Sequence, residues 1–239
     1  MRNYFLIILC SFSFRAFSQQ LELHYDFRHT IDPKRQNQNY PTLFFEYFRS
    51  KDWGSTLFKI QADLKGTKGN MGQSYLQVAQ TFKIWKPKVY LNIGYSGGLG
   101  IIESINGGFY ISNAYVIGGA YPFQAKNAWF SSVLCYKYTA FSKPSHDIQA
   151  TFYFGKGIRN YKYIVSGSLI AWSENRNQGN DYTKNLSGKK FVFYGDPQIW
   201  WNVGKGFSIG SKINLFYHVL TDENILQIYP TAAIKYKFE

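Results

Sequence analysis

Six residues bring hydrogen-bonding or aromatic side chains to positions that strand alternation places on one face: Asp26, Glu46, Tyr153, Asp196, Gln198 and Trp200. Carboxylates and an amide can hold the hydroxyl groups of a polar solute. An aromatic face can stack on a planar ring, which for a nucleic-acid base is worth about 1–3 kcal/mol. The set therefore suits recognition of a small polar solute rather than bond-making. The alternative is that the same groups pair with one another and fill the inside of a narrow fold. Side-chain types alone leave both readings open.

Other chemistries find less support. The four histidines, His24, His29, His146 and His218, are dispersed, and with two cysteines in the chain they form no zinc-ligand spacing, so no metal site is expected. A Ser–His pair could cleave lipid, as in enzymatic membrane barrels, but it would have to face the bilayer, whereas His24 and His218 fall on the face assigned to water. Glycine clusters at Tyr95 to Gly100 and Ile105 to Gly108 precede no helix and lack the Lys and Ser or Thr of a phosphate loop. No catalytic residue and no cofactor are expected.

The elements that must position these residues are strands. From residue 21 onward, segments of roughly ten residues alternate apolar and polar and are separated by Gly, Pro, Asn, Asp and Lys. Phe58, Ile60, Ala62 and Leu64 share one face, with Lys59, Gln61 and Asp63 on the other. Phe207, Ile209, Ile213, Leu215 and Tyr217 oppose Ser208, Lys212, Asn214 and His218 in the same way. About twelve such segments are predicted, the tenth running unbroken over 191–203. Longer connections are expected at 29–39, 65–72, 98–109 and 174–190. All four follow odd-numbered strands, as they must when both termini lie on one side of a membrane.

A β-sandwich would alternate too, but with its apolar face inward. The aromatic content, 20% of residues with 20 Tyr and 21 Phe, exceeds what a soluble core uses and suits a surface that touches lipid headgroups. After the first eighteen residues no run of about 20 apolar residues could cross as a helix, and the mean hydropathy is −0.28. Lipid offers backbone groups no partners, so the remaining way to span is a closed sheet. The fold class is thus all-β, a transmembrane antiparallel up-and-down β-barrel of about 12 strands.

Arg2, the apolar run Phe5 to Phe14 and the site Ala16-Phe17-Ser18 form a secretory signal, cleaved after Ser18. The domain division is accordingly signal peptide 1–18 and outer-membrane barrel 19–239. An uncleaved anchor is the alternative, and Leu9 before Cys10 argues against lipidation. Only Cys135 would remain, so closure of the sheet replaces disulfides as the source of stability. Without Arg2 and Arg15, 25 basic residues face 14 acidic ones, a net charge of +11. Those charges are scattered along strands and turns, which disfavours nucleic acid and suits contact with anionic lipid or lipopolysaccharide.

Leu21-Glu22-Leu23-His24-Tyr25-Asp26-Phe27, Lys51-Asp52-Trp53-Gly54-Ser55-Thr56, Glu103 to Gly108 with Asn113-Ala114, and Asp196-Pro197-Gln198-Ile199-Trp200 occur in an order that resembles an outer-membrane family of unknown function in Bacteroidota. That family is itself similar to the Tsx-type nucleoside-specific channel-forming proteins. The resemblance implies a twelve-stranded barrel in the Gram-negative outer membrane, passive uptake of nucleosides or similar small solutes, and insertion by the barrel-assembly machinery. The chain departs from the usual aromatic terminus by carrying Glu239 after Phe238. The alternative function is a structural or lipid-modifying barrel without transport.

Overall fold

The computed structural model describes residues 18–86, 88–103 and 107–238. Residues 1–17 of the expected signal, and Glu239, lie outside the described residues. The chain runs β1 (Ser18–Asp26), the short helix α1 (Arg28–Ile31), β2 (Tyr40–Lys51), β3 (Gly54–Asp63), β4 (Gln73–Phe82), β5 (Tyr90–Ile102), β6 (Gly107–Ala125) and β7 (Ala128–Thr139). It continues with β8 (Ser145–Ile158), β9 (Tyr163–Asn175), β10 (Lys189–Gly195), β11 (Gln198–Gly204), β12 (Phe207–Tyr217) and β13 (Gln227–Phe238).

Neighbouring strands pair antiparallel throughout, and β1 pairs with β13, Leu21 opposite Tyr236 and Leu23 opposite Ile234. The sheet is therefore a ring without a free edge, which a sandwich is not. β10 and β11 both lie between β9 and β12, so the thirteen segments make twelve staves.

The faces are inverted relative to a soluble protein. Side chains turned into the ring are polar: His24, Asp26, Asp63, Lys137, Asp147 and Lys212 are all buried. Those turned outward are apolar, with Leu134 62% and Ile148 66% exposed. Exposing such side chains to water would forfeit roughly 1.5–3 kcal/mol each, so the surface calls for hydrocarbon. No described helix is long and apolar enough to cross a membrane.

Aromatic rings bracket this apolar band. Toward the short-turn end Tyr121, Phe123, Phe130, Phe152 and Phe154 stack in a row across β6, β7 and β8, with centroids 5.1–6.3 Å apart. Toward the other end Tyr95, Tyr115, Tyr138 and His146 form a second row. On β7 the rows are separated by the eight residues from Phe130 to Tyr138. At ~3.3 Å per residue and a tilt near 40° that is about 20 Å, close to the apolar height of a barrel of this kind.

Three expectations need correction. The tenth stave is broken at Asp196-Pro197, because Pro197 has no N–H to give the ladder. The break is satisfied from both sides: Ser168 donates its N–H and hydroxyl to the Asp196 carboxylate, each at 2.7 Å, and Ile213 donates to the Pro197 carbonyl at 2.9 Å. Gly167 lies against the break, where a Cβ would sit 2.8 Å from Pro197 Cα.

The expected loop 98–109 is mostly strand, since β5 continues to Ile102 and β6 begins at Gly107; a register shift between Gly97 and Leu99 lets the pair bend and go on. Besides Trp200, Trp172 lies under the Lys137 ammonium in the lumen and Trp129 packs on the inner side against Gly155. Finally, the charge is not scattered. Strand ends and turns at the short-turn end (49–54, 82–90, 124–129, 155–163, 203–208, 236–238) carry eleven Lys and Arg against Asp52 alone among the described residues.

Candidate functional site: the lumen

Inside the ring is a cavity of about 2710 Å³, lined at one end by Lys34 and Tyr182 of the longer loops and at the other by Lys51 and Lys83 of the short turns. Its walls are unequal. The inward positions of β5 and β6 are small, among them Gly94, Ser96, Ala114, Gly118 and Ala120, and they leave space. The wall formed by β11, β12, β13, β1 and β2 is filled by a compact group centred on His24.

His24 is wholly buried, its Nε2 2.8 Å from Glu22 Oε2 and its Nδ1 3.0 Å from Thr231 Oγ1, with Phe44 and Trp200 edge-on at 4.8 and 5.8 Å. Lys212 Nζ lies 3.6 Å from the Phe44 ring centroid and Lys235 Nζ 3.8 Å from that of Trp200. Every polar atom of the imidazole is used, so His24 holds the wall together.

Halfway along, one side chain crosses the lumen. Lys59 on β3 reaches Asp196 at the β10–β11 break, Nζ to Oδ2 3.5 Å. Going round the ring from β3 through β2, β1, β13 and β12 takes five steps of the twelve, so the pair joins nearly opposite walls. Tyr75, Tyr153 and Tyr194 line the cavity with it, and the Tyr194 hydroxyl is 3.4 Å from Asp196 Oδ2. At this level the lumen thus holds an ion pair with phenols beside it.

The six expected site residues all turn inward but do not form one group. Asp196, Gln198, Tyr153 and Glu46 border the cavity, with Gln20 donating to Glu46 at 3.0 Å. Asp26 borders it near the long-loop mouth, held by Arg28 at 2.8 Å and Asn214 at 3.3 Å. Trp200 is 0% exposed, gives its Nε1–H to Gln198 Oε1 at 2.8 Å and is covered by His24 and Lys235. Its ring has no face left for a solute, and Tyr75, Tyr153 and Tyr194 are the aromatic groups that the cavity meets. Lys59 and Lys212 belong to the site through contacts across the ring, which alternation along a single strand cannot show.

The outer mouth is crossed by the β1–β2 connection. Asp26 accepts the Arg28 N–H at 2.9 Å and turns the chain into α1, while the Arg28 guanidinium lies over the rings of Tyr40, Tyr229 and Phe216 at 4.7, 5.2 and 5.8 Å. Arg35 pairs with Glu223 of the β12–β13 connection at 2.8 Å, tying two loops over the opening.

The chain belongs to the family described as Domain of unknown function (DUF5020). The family model matches residues 18–238. No curated protein matches the sequence. Among solved structures, this DUF5020 barrel is similar to the NanC porin, with a TM-score of 0.56 and 11% identity over 92% of this chain and 100% of that one. It is also similar to LpxR from Salmonella typhimurium, with a TM-score of 0.50 and 10% identity, again over 92% and 100%. At such identities the likeness is one of fold, the closed antiparallel barrel, and fold does not carry function with it.

Proposed function

We propose that this protein is an outer-membrane channel for passive diffusion of small polar solutes, nucleosides or similar molecules, exported by its first eighteen residues and inserted by the barrel-assembly machinery. The observation that carries the reading is the cavity, which is bordered by residues of both mouths and walled with hydrogen-bonding side chains. An apolar outer band between two aromatic rows sets the barrel in a bilayer, and likeness to a porin suits the outer membrane. The phenols of Tyr75, Tyr153 and Tyr194 beside Asp196 and Gln198 provide stacking and hydrogen-bonding groups of the kind a nucleoside uses. The order of sequence motifs, which resembles a family akin to the Tsx-type channels, implies the same solutes.

The test is liposome swelling with purified protein across nucleosides, sugars and amino acids of similar size. Nucleosides entering faster than sugars supports the full reading, and equal entry reduces it to a general small-solute pore. Folded protein that admits nothing overturns it. Release of fatty acid from the liposome lipid would favour the lipid-modifying alternative.

A further inference from the structure

The charges along the lumen are unevenly placed, and the asymmetry bears on which solutes pass. Thirteen Lys and Arg border the cavity against seven Asp and Glu. Around the long-loop mouth the signs nearly balance: Arg28, Arg35 and Lys190 meet Asp26, Glu223, Glu174 and Asp222 in close pairs of 2.8–3.6 Å, and Lys34 and Lys65 also border the cavity. At the short-turn mouth Lys51, Lys83, Lys88 and Lys237 border the cavity, and none has a carboxylate within 4 Å among the described residues.

Between the mouths, two lumen ammoniums also lack such a partner. Lys212 lies over Phe44 and Lys137 over Trp172, 3.6 and 4.1 Å from the ring centroids. The lumen carboxylates, by contrast, are engaged. Asp63 accepts from Thr42, Gln61 and Gln73 at 2.6–3.0 Å, and Asp196 is held by Ser168 and Lys59. A permeating cation therefore meets acids that already have donors, while an anion meets the field of the buried, carboxylate-free Lys137 and Lys212 and then the exposed lysines of the exit.

From this distribution we infer that the pore selects anions, and that its preferred solutes carry a carboxylate or phosphate group. The inference rests on the channel reading and deepens it. A low-dielectric wall focuses the field of like charges into the water between them, and such focusing raises the local concentration of the opposite ion by about tenfold or more. The four mouth lysines are exposed, so their effect falls as salt shortens the Debye length from ~10 Å at 0.1 M to ~3 Å at 1 M. Lys137 and Lys212 lie away from bulk ions and are screened less.

The experiment is the zero-current potential of the full mature chain in a planar bilayer under a tenfold KCl gradient centred near 0.1 M. Chloride should permeate about tenfold more readily than potassium. The quadruple variant Lys51→Glu, Lys83→Glu, Lys88→Glu, Lys237→Glu should move the potential toward the potassium side, and the milder quadruple change to Gln should bring it part of the way. A second arm compares liposome entry of adenosine, its 5′-monophosphate and gluconate. Faster entry of the phosphate or of gluconate than of adenosine supports the inference and tells the two anion chemistries apart. Open channels with no preference or a potassium preference overturn the inference and leave the channel reading standing. A folded protein with no conductance overturns both.

Discussion

The Lys59–Asp196 pair is where a single residue has the largest consequence. Both side chains are largely shielded, at 18% and 6% exposure, and Asp196 also anchors Ser168 at the break in the tenth stave. Removing one member of a shielded pair leaves the other uncompensated, a loss of about 3–5 kcal/mol in a dry interior. Beside a solvent-filled cavity the lower end applies. Lys59→Met is therefore expected to cost about 3 kcal/mol in urea unfolding of the vesicle-inserted barrel, and to raise single-channel conductance because the lumen loses its crosspiece. Unchanged conductance would show that the pair does not narrow the solute path.

A second residue-scale prediction concerns Gly54, which starts β3 with φ +150 and where a Cβ would sit 1.9 Å from the Thr81 carbonyl oxygen. Gly54→Ala should destabilise the barrel by about 1–3 kcal/mol, read as a lower urea midpoint. An unshifted midpoint would mean that the β3–β4 pairing yields easily.

At the scale of elements, the loops of the outer mouth are held by few and identifiable contacts. Glu103, just past β5, accepts the Thr67 N–H at 2.8 Å and the Thr67 hydroxyl, fastening the β3–β4 connection to the β5–β6 hairpin. These bonds, the hydroxyl's foremost, hold its carboxyl below the ordinary value. The folded form thus gains stability from the charged carboxylate, fully present above the ordinary carboxylate range near 4.3 and lost as pH falls through the depressed value. The Thr67 amide resonance should be constant from pH 7 to 5 and shift only as pH falls below the ordinary carboxylate range. Glu103→Gln should leave it shifted at every pH. The Arg35–Glu223 tie is exposed, and cutting it should leave stability nearly unchanged while increasing proteolysis between α1 and β2; equal proteolysis would remove its role as a strap.

Strands were legible because alternation is a property of each segment by itself. The pattern Lys59, Gln61, Asp63 against Phe58, Ile60, Ala62 forecasts which face meets water whatever the neighbouring strand is. The broken tenth stave was also visible in principle, through Pro197. What the sequence could not show is anything that depends on two distant strands. Lys59 meets Asp196 only because the ring closes, and Trp200 loses its stacking faces only because His24 and Lys235 arrive from β1 and β13. Inward orientation was readable for all six expected site residues, whereas accessibility was not, and Trp200 is where the two part.

For the whole molecule, the inverted surface sets the solution behaviour. With Leu134, Ile148, Ile209 and Ile234 all more than half exposed, the signal-free protein should aggregate in plain buffer and become monodisperse in detergent. A monodisperse, folded species without detergent in size-exclusion chromatography would end the membrane assignment. The ring pairing of β1 with β13 should keep the folded form compact in unheated SDS gels and let it migrate after boiling at the mass of the unfolded signal-free chain, below the 27.7 kDa of the full sequence. Identical migration before and after heating would show that the ring does not persist.

The tryptophans give the molecule a built-in compass. Trp53, Trp85 and Trp201 are 43–49% exposed and all sit toward the short-turn end, whereas Trp172 and Trp200 are enclosed within the walls. Emission that brominated lipid can reach therefore originates in one leaflet. Vesicles brominated on a single side would reveal which way the barrels have inserted, with no label attached.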